Sequence, residues 1–117
     1  MAWRIEVSAD VVRDIDLLFH HLADSYVGFG ETRSVADARA LERIGEILGA
    51  ADRIAVAPFR GEAHGDILPG LRHLTLDQAI YWYQTDETAE TIRILAIFYG
   101  GQDHVRRMLR RLLSQRA

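Results

Sequence analysis

The chain has 117 residues, 49% of them hydrophobic, with no cysteine and a formal net charge of −3. These numbers describe a single domain, residues 1–117, with enough apolar residues to bury a core. They exclude disulfides and thiolate metal sites, and no apolar run approaches the ~20 residues of a membrane-spanning helix.

The opening MAWRIEVSAD holds no apolar region of the signal-peptide kind, so a cytoplasmic protein with no membrane partner is expected. All fourteen basic residues are arginine. Residues 102–117 hold five arginines and one aspartate, a net of +4, and the rest of the chain carries −7. Proteins that grip phosphate backbone present a broad basic surface. An acidic body with one basic tail predicts no direct nucleic-acid binding.

WRIEVS (3–8) alternates Trp3, Ile5 and Val7 with Arg4, Glu6 and Ser8, which predicts a strand with one buried face. Ser8 is placed to cap the next segment with its hydroxyl. From Ala9 to Val27, Val12, Ile15, Leu18, Phe19, Leu22 and Tyr26 recur at steps of three and four, a helical stripe. GFG (28–30) ends it. Val35, Ala38, Leu41, Ile44, Leu48 and Ala51 make a second stripe, which stops before Pro58. Two helices with so short a connection form an antiparallel hairpin. Residues 57–70 read as a glycine- and proline-rich loop.

Three strands follow, LRHLTL (71–76), AIYWYQ (79–84) and TIRILAIFY (91–99), with Asp77-Gln78 and Asp86-Glu87 as tight connections. They predict an antiparallel meander whose last strand is central, being apolar on both faces except at Arg93. Asp103 is read as the cap of a final helix with Val105, Met108, Leu109, Leu112 and Leu113 inward. Arg106, Arg107, Arg110 and Arg111 then form a solvated cationic face. Strand, two-helix hairpin, three-stranded meander and C-terminal helix make an α+β fold.

The titratable groups are sparse. His73 and Arg72 are adjacent on a strand and point to opposite faces. His64-Gly65-Asp66 lies in the glycine-rich loop within reach of His73. Two ligands in such a loop fall short of the three or four a zinc site needs, so neither a metal nor another cofactor is expected. Arg72 and Arg93 are expected to pair with acids, Glu87, Glu90 and Asp103 being the candidates. His20 and His21 lie within the first helix and carry no expected role.

ADRIAVAPFRGE (51–62), PGLRHL (69–74) and IYWYQTDETAETIRILAIFYGGQDH (80–104), in that order and spacing, resemble the RelE/ParE superfamily of toxins from bacterial type II toxin–antitoxin systems. The first resembles the family's Pro-x-Arg-Gly loop and the second its Gly-Leu-Arg-x-Leu segment. The third resembles the ParE pattern of a tyrosine-bearing strand, an acidic turn, an Ile-Arg-Ile strand and His-Gly-Ala-Gln/Arg-Asp. Tyr99 stands here for that histidine and Gly101 for the alanine. The resemblance implies a strand–hairpin–meander–helix fold and a cognate antitoxin, commonly a DNA-binding dimer, here ParD-like, in a toxin–antitoxin hetero-oligomer.

RelE-like relatives cleave mRNA on the ribosome, whereas ParE-like relatives inhibit DNA gyrase by binding it. RNA cleavage through the 2′-hydroxyl needs a base, cations for the phosphate and an acid for the leaving oxygen. A chain with no lysine, and with Gly100-Gly101-Gln102 after its last strand, is poorly equipped for this. The expectation is therefore a ParE-like, plasmid-stabilisation type of toxin with no catalytic residue. The alternatives are a RelE-like ribonuclease using Arg72, Arg93 and His104, or a non-toxic member that only binds its antitoxin. Tyr99, Gln102, Asp103, His104, Arg106 and Arg107 form the expected gyrase-binding corner. Leu18, Leu22, Tyr26, Leu41, Arg110 and Arg111 form the expected antitoxin surface on the hairpin and last helix.

Overall fold

The structure, a computed structural model, describes residues 3–100 and 103–115. Gln102 of the expected corner lies outside the described residues. The elements are β1 (Arg4–Val7), α1 (Ala9–Gly28), α2 (Arg33–Ala50), α3 (Asp52–Val56), β2 (Glu62–Ala63), β3 (Leu71–Leu76), β4 (Ala79–Asp86), β5 (Thr91–Tyr99) and α4 (His104–Ser114). The α+β class, the hairpin and the meander follow the sequence reading. The sheet has five strands in the order β1-β5-β4-β3-β2. It is mixed, because β1 runs parallel to β5 and the other pairs are antiparallel. The short α3 and two-residue β2 fall where the sequence suggested only a helix end and a loop.

The central strands β4 and β5 are covered on both faces, which is why they read as continuous apolar runs. On one face Tyr81, Tyr83, Ile92, Ile94 and Ile97 pack against Val11, Leu18 and Leu22 of α1, Ala40, Ile44 and Ile47 of α2, and Ile54 of α3. On the other, Leu71, Ile80, Trp82, Ala96 and Phe98 pack with Met108 of α4. An irregularity in register between Trp82 and Tyr83 pairs Trp82 with Ala96 and Tyr83 with Ile94. The extra residue, Leu95, shifts the alternation of β5, so that Ile94 and Ile97 share a face.

The hairpin buries Leu18, Leu22, Ile44 and Ala51 of the expected stripes and half-buries Ile15, Phe19 and Tyr26, but exposes Val12, Val35, Ala38, Leu41 and Leu48. Val12 is 68% exposed and Leu41 63%, while Val11, Ala36, Ala40 and Ile47 are buried. The reason is steric. Along α2 and its C-cap, the buried line Ala36, Ala40, Ile44, Ile47 and Ala51 lies one position off Val35, Leu41 and Leu48, and its alanines present small side chains to the rest of the core. β1 is an edge strand; Ile5 packs on the core but Val7 is exposed. Ser8 does not cap α1 with its hydroxyl, which lies 3.5 Å from the Leu95 carbonyl. Its own carbonyl instead accepts from Val11 N–H. Thr32 does cap α2, accepting from Val35 N–H at 3.4 Å.

Two tyrosine hydroxyls tie the sheet to its cover. Tyr81 donates to the Ile47 carbonyl at 2.6 Å, and Tyr83 to the Pro58 carbonyl at 2.9 Å while accepting from Gly61 N–H. Burial pushes the Tyr81 phenol up to about 12 and raises that of Tyr83. The glycines of the two quoted segments have a steric cause. A β-carbon at Gly61 would lie 2.5 Å from the Tyr83 hydroxyl and 2.7 Å from the His73 carbonyl oxygen. At Gly70, with φ +79°, it would meet the Thr85 carbonyl oxygen at 2.5 Å.

α4 covers only part of its sheet face. Of the five residues expected inward, Met108 is buried and Leu112 half-buried, whereas Val105, Leu109 and Leu113 are exposed. Asp103 is left-handed at φ 58° and makes no side-chain cap; its carbonyl accepts from Arg107 N–H. Arg111, expected on the solvated face, turns inward instead. It holds both carboxylate oxygens of Asp14, at 2.8 and 2.6 Å, and donates to the Leu95 carbonyl. Asp14 also accepts from Ile97 N–H at 3.0 Å, so one charge pair joins α1, β5 and α4.

Candidate functional site

The open side of the sheet, beside α4, carries most of the unusual chemistry. β2 and β3 pair so that Glu62 lies directly opposite His73, which puts both side chains on one face. His64 is two residues beyond Glu62 and returns to that face by the period of an extended chain. His64 N–H donates to the Leu71 carbonyl at 2.8 Å and pins the segment. His73 in turn faces Trp82 across β3 and β4.

The result is a stack in which the His64 and His73 ring centroids are 4.9 Å apart and each is 4.8 Å from Trp82. His64 Nε2 and His73 Nδ1 are 2.7 Å apart. Glu62 Oε2 lies 3.3 Å from the first and 3.9 Å from the second.

His104, the first residue of α4, closes the cluster. Its ring meets that of His73 edge-on at 4.8 Å. Its Nδ1 accepts a hydrogen bond from Trp82 Nε1–H at 3.2 Å, which places a neutral ring's proton on Nε2. Burial and then the neighbouring His104 and His64 imidazoles lower the pKa of His73, against a smaller opposing pull from Glu62. Burial and then His64 lower that of His104. Both rings are therefore held neutral near pH 7. His104 was expected in the exposed corner, whereas the structure half-buries it among aromatic rings.

The conditional ribonuclease trio is not assembled. Arg72 faces Tyr83 in register and donates to the Phe59 and Gly61 carbonyls at 3.0 and 2.8 Å, so it serves the hairpin side of the sheet. Its partners are carbonyls rather than the expected acids. Arg93 lies on the side of α4, flanked in register by Glu6 and Gln84. It lines a groove with Leu109 and Leu112 toward the end of α4, while His104 begins that helix. An eleven-residue helix is about 16 Å long. No single phosphate group spans these positions.

Of the expected gyrase-binding corner, Asp103, Arg106 and Arg107 are exposed, as is Arg110 of the expected antitoxin surface. The Arg107 guanidinium rests over Phe98 at 4.2 Å. Tyr99 is half-buried against the hairpin core, with Arg43 5.8 Å from its ring. On the expected antitoxin side, Leu18 and Leu22 are core residues and present no surface, because they face the sheet. Arg111 is engaged by Asp14. Leu41 is exposed, and Tyr26 is half-buried under Arg39 at 4.4 Å. An apolar groove of about 670 Å³, lined by Ile67, Leu68, Leu95, Leu109, Leu112 and Leu113, runs beneath α4. No sequence signal pointed to it.

The sequence reading also missed Glu62 and Trp82 as site residues. Glu62 enters through the pairing of β2 with β3, where a two-residue strand leaves no periodicity to detect, and Trp82 through the register of β3 with β4.

No protein-family model and no curated protein matches this sequence. Solved structures do match the fold. One is a chain of the chromosomal ParDE TA system from P. aeruginosa, 19% identical, covering 86% of this chain and 98% of that one with a TM-score of 0.62. Another is a chain of the toxin–antitoxin complex RelBE2 from Mycobacterium tuberculosis, 13% identical, covering 85% and 99% with a TM-score of 0.58. Among the described residues no helix is long and apolar enough to cross a membrane. The sheet order, the hairpin and the near-complete coverage of both neighbours give this chain a RelE/ParE-like fold.

Proposed function

We propose that this chain is the toxin of a bacterial type II toxin–antitoxin pair, acting in the cytoplasm by docking onto DNA gyrase in the ParE-like manner. A cognate ParD-like, DNA-binding antitoxin neutralises it within a hetero-oligomer. The observation that carries this reading is the fold likeness to chains of the ParDE and RelBE2 systems across nearly their whole lengths. Binding is favoured over RNA cleavage by the dispersal of Arg72, Arg93 and His104 over two faces and two ends of the sheet.

The docking surface is the N-terminal half of α4. Arg106 and Arg107 are exposed there, and guanidinium groups meet carboxylates in a two-pronged geometry suited to an acidic target patch. The antitoxin surface is the apolar groove beneath α4, continued by Arg110. An amphipathic helix from a flexible partner buries its apolar stripe in such a groove.

The test is a gyrase supercoiling assay run beside an mRNA-cleavage assay in a translation mixture. Inhibited supercoiling with intact mRNA is the expected result, relieved by the protein encoded beside this chain. Cleaved mRNA with unaffected supercoiling would establish the RelE-like alternative instead.

A further inference from the structure

We infer that Glu62, His64 and His73 form a binding site for one divalent transition-metal ion of the zinc class, with a further coordination position open to solvent. The three ligand atoms, Glu62 Oε2, His64 Nε2 and His73 Nδ1, lie within 4.8 Å of one another. They converge on one point because of strand register: Glu62 and His73 are cross-strand partners, and His64 follows Glu62 by two residues. Strand register places all three residues on one face, and the Glu62 side chain reaches across to the two imidazoles.

The chemistry of the set is specific. Two imidazoles and one carboxylate suit zinc, nickel, copper or cobalt, whereas magnesium and calcium prefer all-oxygen shells. Two nitrogens bound to one tetrahedral zinc at 2.0–2.1 Å lie roughly 3.4 Å apart. The observed separation is 2.7 Å with the ring centroids 4.9 Å apart, so the two nitrogens meet nearly head-on; to admit an ion the rings must part by less than ~1 Å and also swing toward the Glu62 side. The side chains of His64 and His73 are only 13% and 16% exposed, while that of Glu62 is 69% exposed. An ion would thus rest on two sheltered nitrogens and be reached from the Glu62 side.

The ion has a structural consequence. It links the 57–70 segment, through β2 and His64, to β3 and the Trp82 ring beneath. On binding, the hydrogen bond between His64 Nε2 and His73 Nδ1 is exchanged for two metal–nitrogen bonds, and the proton it held moves to the other ring nitrogen of the imidazole that carried it. This inference stands on geometry alone and is independent of the toxin reading.

The test uses the full chain carrying His20→Gln and His21→Gln, which removes the exposed imidazoles of α1, after treatment with a chelator and dialysis. Zinc chloride is titrated by calorimetry. Cobalt chloride is then followed by visible absorption and by quenching of Trp82 fluorescence in a Trp3→Phe background. One zinc per chain, a rise in melting temperature, a four- or five-coordinate cobalt spectrum and quenched Trp82 emission are expected. His64→Gln and His73→Gln, checked for folding by circular dichroism, should each weaken binding by more than about 100-fold. Glu62→Gln should weaken it less, because the exposed carboxylate can be replaced by water. Absence of one-to-one binding in the parent chain, or binding that survives undiminished in folded His64→Gln and His73→Gln, would overturn the assignment.

Discussion

The two faces of the sheet solve the same problem differently. The hairpin face is sealed: sixteen buried residues form one cluster there, and the two tyrosine hydroxyls reaching into it each find a backbone carbonyl. The α4 face has six buried residues, a row of interacting imidazoles, and an open groove. Its helix is anchored by Met108 and by one charge pair, Arg111 with Asp14. A face that must only hold the fold excludes water; a face that must meet other molecules keeps polar groups and unfilled volume. The comparison teaches that dense packing and open, polar chemistry lie on opposite faces of one sheet.

That division can be broken at the anchor. Asp14→Ala strands the Arg111 guanidinium and the Ile97 N–H together, and removing one partner of a buried ion pair costs about 3 kcal/mol or more. The shift in urea midpoint measures it. A double variant, Asp14→Ala with Arg111→Met, should recover much of that loss. A smaller effect is expected at Gly61→Ala, where the new methyl meets the Tyr83 hydroxyl and the His73 carbonyl. Overpacking of this kind costs about 1–3 kcal/mol, read from thermal melting. It should also lower metal affinity, because it displaces the strand that presents Glu62 and His64.

Alkaline pH separates the faces without mutation. The Tyr81 phenol ionises near 10 in an unfolded chain and at about 12 here. Its raised value contributes stability that is complete below pH 10 and is lost as pH climbs toward 12. Absorbance titration should show Tyr81 and Tyr83 ionising late, together with unfolding, and Tyr81→Phe should remove one late step. The smallest effect on stability belongs to the docking surface. Arg106→Ala and Arg107→Ala should change it by no more than about 1 kcal/mol, yet each should weaken inhibition of the proposed target in the supercoiling assay. Unchanged inhibition in both would move the docking surface away from α4.

Much of the fold was legible because local patterns and tertiary packing agreed. Apolar residues from Ile92 to Tyr99, broken only at Arg93, marked a strand covered twice, and the Asp77-Gln78 turn marked a hairpin. The failures share a cause. Hydrophobicity ranks Leu41 above Ala40, but helix approach distance favours the alanine, and that distance is a property of the assembled fold. Arg111 resembled its neighbours Arg106, Arg107 and Arg110 in sequence. Only the position of Asp14, 97 residues away along the chain, distinguishes it.

The sequence by itself determined the class of fold, its order of elements, the exclusion of cysteine chemistry and the concentration of arginine at one end. These are matters of composition and short-range period, which a chain expresses wherever its neighbours are. Tertiary structure alone decided that Glu62, His64 and His73 meet, that Arg72 and His104 part, and that a groove opens beneath α4. Each of those depends on strand register and on which residues approach across the sheet, and distance in space between remote segments is not written in any local pattern.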